Sequence, residues 1–182
     1  MTRDDKVLMA ILGGGVLYLI LSTRLPSKKP ISVAVSDASY QRVMSYAGEM
    51  LRSGAEMGVD PALIAAMMTV ESRGNPDAVG GAGEIGLMQI LPTTAEWFGG
   101  ISAEELRDPA TNILFGAAYI GYCVDKKGGS VPAGIAGYNY GPDRVRVEDN
   151  RVIAPESVLQ YVANVLSLVE PYKALFRVRS LN

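Results

Sequence analysis

The chain has 182 residues, 48% of them hydrophobic and 20% charged, with a formal net charge of −2. That is enough for one compact core, and it gives no electrostatic footprint for nucleic acid. There is no histidine and one cysteine, Cys123, which excludes Ser–His–Asp and Cys–His catalysis, an internal disulfide and an imidazole-bound zinc. Any chemistry rests on Glu, Asp, Tyr, Ser or Lys, and no metal or other cofactor is expected.

In chain order, residues 7–23 carry no charge. This length lies at the lower limit for a membrane-spanning helix, and Arg3 and Lys6 ahead of it also fit a signal peptide. No small-x-small cleavage pattern follows, because the run ends in Ser22-Thr23-Arg24-Leu25-Pro26. Residues 1–25 are therefore read as an N-terminal hydrophobic helix, an anchor or uncleaved signal. Residues 26–36, with Pro26 and Pro30, read as a linker, and residues 37–182 as the functional domain.

Within that domain the punctuation is helical. Asp37 caps an expected helix with Tyr40, Val43, Met44, Ala47, Met50 and Leu51 at spacings of three and four, ended by Gly58. Asp60-Pro61 pairs a cap with a first-turn proline and starts a helix to about Arg73, where Gly74-Asn75-Pro76 stops it. Residues 92–98 make a short helix closed by Gly99-Gly100. Asp108-Pro109 opens a long one ending near Gly128-Gly129. Residues 131–139 form another, and Pro155 opens a last helix to about Tyr172. Residues 144–151 are the one weak strand candidate, inside a charged connection over 143–154 that reads as solvated surface. The fold class is all-α with long loops.

On the helix from Pro61, residues Ile64, Met67, Met68 and Glu71 share a face. If that face points inward, Glu71 ends an apolar stripe beside a loop. Desolvation and the helix C-terminal carbonyls then both favour the protonated acid. Such an acid suits proton donation to a sugar oxygen; a capping or salt-bridged glutamate is the alternative reading. The following Gly81-Ala82-Gly83-Glu84-Ile85-Gly86 has the form GxGxxG. A helix precedes it rather than a strand, and Glu84 would repel a pyrophosphate, so the dinucleotide reading is rejected.

Four motifs then fall in register: Val70-Glu71-Ser72 with Asn75-Pro76-x-Ala78-Val79; Gly86-Leu87-Met88-Gln89-Ile90-Leu91-Pro92-x-Thr94-Ala95; Asp108-Pro109-x-x-Asn112-Ile113-x-x-Gly116; and Ala136-Gly137-Tyr138-Asn139-Tyr140-Gly141-Pro142, followed by Glu156 and Tyr161-Val162. Over residues 40–173 the chain resembles the family-1 (soluble-type, SLT domain) lytic transglycosylases of the goose-type lysozyme superfamily. The resemblance implies a lysozyme-like helical domain with a loop-lined glycan cleft. It also implies cleavage of the β-1,4 bond between N-acetylmuramic acid and N-acetylglucosamine in peptidoglycan, leaving a 1,6-anhydromuramyl end.

On this resemblance Glu71 is the catalytic acid and then base, and the substrate's N-acetyl group stabilises the cationic sugar. Ser72 orients the carboxylate, Met88 and Gln89 line the cleft, Tyr138 and Asn139 sit across it, and Tyr161 hydrogen-bonds near Glu71 or the sugar. Tyr140, two residues from Tyr138, is expected off that face. A hydrolytic muramidase on the same scaffold and a non-catalytic, membrane-tethered glycan-binding component are the alternatives. Expected partners are peptidoglycan strands and a membrane held through residues 7–23, with a secretion, conjugation or phage particle assembly as the setting, and no nucleic acid. The catalytic domain then faces the periplasm or cell wall, or travels in a virion. Arg24, Lys28 and Lys29 after the apolar stretch would favour the opposite orientation.

Overall fold

A computed structural model describes residues 37–179; the expected anchor and linker over residues 1–36 lie outside the described residues. Seven α-helices follow in chain order: α1 (Asp37–Ser45), α2 (Ala47–Met57), α3 (Pro61–Ser72), α4 (Pro92–Gly99), α5 (Pro109–Lys126), α6 (Val131–Tyr140) and α7 (Glu156–Arg179). Between α6 and α7 stands an antiparallel hairpin, β1 (Arg146–Glu148) and β2 (Arg151–Ile153). Among the described residues no helix is long and apolar enough to cross a membrane.

The helix starts follow from side-chain caps that satisfy otherwise orphaned amides. Ala62 N–H donates to Asp60 Oδ1 at 2.8 Å, and Thr111 N–H to Asp108 Oδ2 at 2.8 Å. Gly58 and Gly100, at φ 67° and 64°, close α2 and α4.

Three boundaries depart from the sequence expectation. The helix expected from Asp37 to Gly58 breaks at Tyr46, because the Ser45 hydroxyl takes the Arg42 carbonyl at 2.7 Å and Tyr46 N–H turns to Val43 O at 3.1 Å. The last helix runs past Tyr172 to Arg179 with Pro171 inside it. Tyr172 holds it there, packed on Tyr40 with ring centroids 5.1 Å apart and hydrogen-bonded to Thr69 at 2.5 Å. The connection over 143–154 forms the hairpin rather than a plain loop. Asp149 and Asn150, at φ 48° and 59°, make a two-residue turn whose twist matches that of the flanking strands.

At the centre lies α3, with every residue from Ala62 to Thr69 buried. The sequence suggested one inward stripe; instead α3 is enclosed, with α7, α2 and α1 packed around it, which is why it is apolar all round. Full burial of Ile64, Met67 and Met68 contributes roughly 1.5–3 kcal/mol each. α5 packs on α2 and α6, and α6 in turn on α7. The last turn of α3 therefore emerges where α7 and the loop over residues 73–91 meet.

Candidate active site

Glu71 sits in that last turn, half-buried. Tyr161 on α7 donates its hydroxyl hydrogen to Glu71 Oε1. Burial pushes the Glu71 carboxyl up to about 7; the bond from Tyr161 opposes this, and the negative charge of Glu84 adds to it. With Oε1 occupied as an acceptor, the proton of the neutral acid resides on Oε2, available for donation.

The loop facing Glu71 is held by side chains from three helices. Ser72 of α3 donates to Leu87 O at 2.8 Å and accepts from Gly74 N–H at 3.2 Å. Asn112 of α5 accepts from Met88 N–H at 2.8 Å and donates to Ile85 O and Leu106 O, both at 2.9 Å. Tyr138 of α6 donates to Met88 O at 2.8 Å. Backbone groups of Gly74, Ile85, Leu87 and Met88 are thereby paired. Gly86, at φ 78°, makes the close approach possible: a Cβ there would lie 2.5 Å from Asn112 Nδ2.

Gln89 is also at positive φ, 47°, a conformation costly for a residue with a side chain. Its amide fixes the turn by donating to Ala78 O at 3.1 Å and Gly86 O at 2.9 Å. Across Gly80 stands the half-buried Glu84, which accepts from Ala82 N–H at 2.9 Å. A Cβ on Gly80 would come within 2.2 Å of Glu84 Oε2 and 2.8 Å of Gln89 Oε1, so the two side chains share the space over one glycine.

Glu71, Tyr161 and Tyr138 interact at this place, Gln89 stands beside Glu84 over Gly80, and the remaining expected residues stand differently. Ser72 touches loop backbone rather than the Glu71 carboxyl. The Met88 side chain was expected to wall a cleft but is fully buried, filling the hollow that Gly116 leaves; only its backbone serves the site. Asn139 is exposed at the end of α6. Tyr138 is half-buried against Tyr119, and burial, then the charge of Glu71, holds its hydroxyl well above the usual range. Tyr140 turns away under the Arg144 guanidinium, 5.5 Å from the ring centre.

Two participants were assigned no role from sequence. Asn112 is the buried polar residue of an apolar helix face, a signal that was available. Glu84, a carboxylate two residues before the Gly86 motif, reads from sequence only as an obstacle to phosphate. Among the described residues no group of His, Cys, Asp and Glu is placed to hold a metal ion.

The transglycosylase SLT domain model matches residues 50–157, and the chain belongs to that family. The endo-type membrane-bound lytic murein transglycosylase A of Klebsiella pneumoniae is 41% identical over 88 residues, 44% of this chain and 43% of that protein. The match thus spans less than half of the curated relative. By structure the chain is similar to an inactive glutamate-to-glutamine mutant of the lytic transglycosylase Slt from Pseudomonas aeruginosa, at 32% identity and TM-score 0.66, covering 74% of this chain and 25% of that one. It is also similar to the 70 kDa soluble lytic transglycosylase of Escherichia coli, at 27% identity and TM-score 0.64, covering 73% and 25%. The all-α, lysozyme-like architecture expected from the motifs is the one found.

Proposed function

We propose that the chain is a peptidoglycan lytic transglycosylase in which Glu71 is the acid and then the base. The carrying observation is a carboxyl pushed up to about 7 by burial and held by Tyr161. At neutral pH a large fraction is protonated, as a general acid requires. Glu71 donates its proton to the oxygen between N-acetylmuramic acid and N-acetylglucosamine, the C1–O bond breaks, and the acetamido carbonyl oxygen of the muramyl unit bonds to C1. The Glu71 carboxylate then takes the C6 hydroxyl proton as O6 displaces the acetamido oxygen. A 1,6-anhydro ring is closed, Glu71 is protonated again, and no water is consumed.

In this reading Gln89 and the Met88 backbone form the loop side of the sugar site, with Ser72 and Tyr138 positioning that loop. Tyr161 orients the acid. Asn139, exposed beside the site, is assigned to glycan contact. Residues 7–23 would anchor the domain at a membrane with its site toward the cell wall, in line with relatives described as membrane-bound. A secretion, conjugation or phage assembly is the suggested setting, and fractionation with N-terminal sequencing tests the anchor.

The influence of Glu84 on Glu71 favours one second reading, a hydrolase in which another carboxylate serves a water molecule. Mass spectrometry of muropeptides released from purified sacculi separates the two, since anhydro products are lighter by one water. Glu71→Gln is expected to release none. Continued release by this variant would overturn both readings, and no release by the wild type would leave a glycan-binding component.

A further inference from the structure

The chain has one tryptophan, Trp97, and α4 turns it outward, 66% exposed. Of the other residues of α4, Ala95 and Phe98 face the other way. Ala95 is buried, and Phe98 meets Phe115 and Tyr119 edge-on with centroids 5.5 and 5.4 Å away. One exposed apolar residue needs no explanation. This one, however, ends a continuous run of rings. Trp97 lies 6.0 Å from Tyr122, Tyr122 6.1 Å from Tyr119, and Tyr119 5.3 Å from Tyr138. Tyr138 bonds the Met88 carbonyl of the loop beside Glu71.

The second ring of the run is held in place. Lys126 Nζ donates to the Tyr122 hydroxyl at 3.0 Å, lies 5.4 Å from the ring centre, and is itself tied to Asp143 at 2.8 Å. Trp97 is thus presented on a fixed base, losing little conformational freedom when its face is covered.

A pyranose ring offers such a face a patch of C–H groups of matching size, with its hydroxyl and acetamido groups left toward water. Resting on the proposed glycan substrate, we propose that Trp97, backed by Tyr122, is a stacking platform for one sugar ring of an N-acetylhexosamine strand, a few residues away from the bond that Glu71 cuts. A protein partner fits less well. An indole buries at most about 250 Å², whereas a stable interface takes about 800 Å² per partner, and Thr93, Glu96 and Gly99 around Trp97 are exposed without being apolar.

Because Trp97 is the sole tryptophan, its emission reports on this place alone. The Glu71→Gln protein is titrated with β-1,4-linked N-acetylglucosamine hexamer and dimer, with calorimetry in parallel. Saturable change in emission with the hexamer and none with the dimer is expected. Hexamer heat without any emission change overturns the platform. With wild-type catalysis on sacculi, Trp97→Ala is expected to raise KM about five- to tenfold, increasingly with strand length, and Trp97→Phe to restore most of it. An equal loss on all lengths, or a loss of self-association or vesicle binding by Trp97→Ala instead, also overturns it. If the wild-type protein releases nothing from sacculi, the proposed function fails first; if it digests them while Trp97 variants behave as wild type, only the platform fails.

Discussion

Glu71 is held between forces of opposite sign, and each can be removed separately. Burial and the Glu84 charge favour the proton, and the Tyr161 bond opposes it. Because the acid must be protonated, kcat/KM is expected to fall about tenfold per pH unit above about 7. Glu84→Gln removes a raising influence, so this limb moves toward acid pH. Tyr161→Phe removes a lowering one, so the limb moves toward alkaline pH, while turnover drops roughly ten- to a hundredfold through lost orientation. Rates of muropeptide release across pH check both; shifts in one common direction would contradict the assignment.

The same acid has a cost in stability, and its sign is fixed. The folded pKa lies above the unfolded one, so the contribution is fully present below pH 4.5 and is lost as pH rises through about 7. A shift of that size corresponds to roughly 3 kcal/mol. Glu71→Gln, which never ionises, is therefore expected to be more stable than wild type by about 2–3 kcal/mol at pH 8 and near parity at pH 4. Urea midpoints at the two values measure it. An equal difference at both pH values would mean that the carboxylate is not desolvated.

Among elements, the loop over residues 73–91 depends most on distant partners. Asn112→Ala strips partners from Met88 N–H, Ile85 O and Leu106 O, a loss of about 2–4 kcal/mol with a looser site. Thermal unfolding and activity assayed together test this, and a drop in stability with normal kcat/KM would deny the loop its positioning role. Helix starts at Asp60-Pro61 and Asp108-Pro109 were legible because the cap and the proline lie next to each other in sequence. The break at Tyr46 was not, since one serine hydroxyl capturing a carbonyl leaves the apolar spacing unchanged. The hairpin was half legible: residues 144–151 carry the alternation, but the Asp149-Asn150 turn was missed.

For the whole molecule, the acid and its tyrosine stand on α3 and α7, 90 residues apart in sequence, and meet because α7 packs across the buried α3. The motifs supplied which residues to watch, and packing decided what each touches. Met88 and Ser72 turned to the core and the loop backbone, whereas Glu84 and Asn112 entered the site unassigned. The Met88 side chain rests on Gly116 of α5 and the Asn112 amide on loop backbone far away in sequence, partners that no local pattern names.

Proton donation by this site depends on the ionisation of one side chain, Glu71. A titration of the glutamate carboxyl carbons by NMR, wild type against Glu71→Gln, isolates that resonance. An inflection near pH 7 is predicted; one near 4.5, where an ordinary glutamate titrates, would contradict the acid role assigned to Glu71.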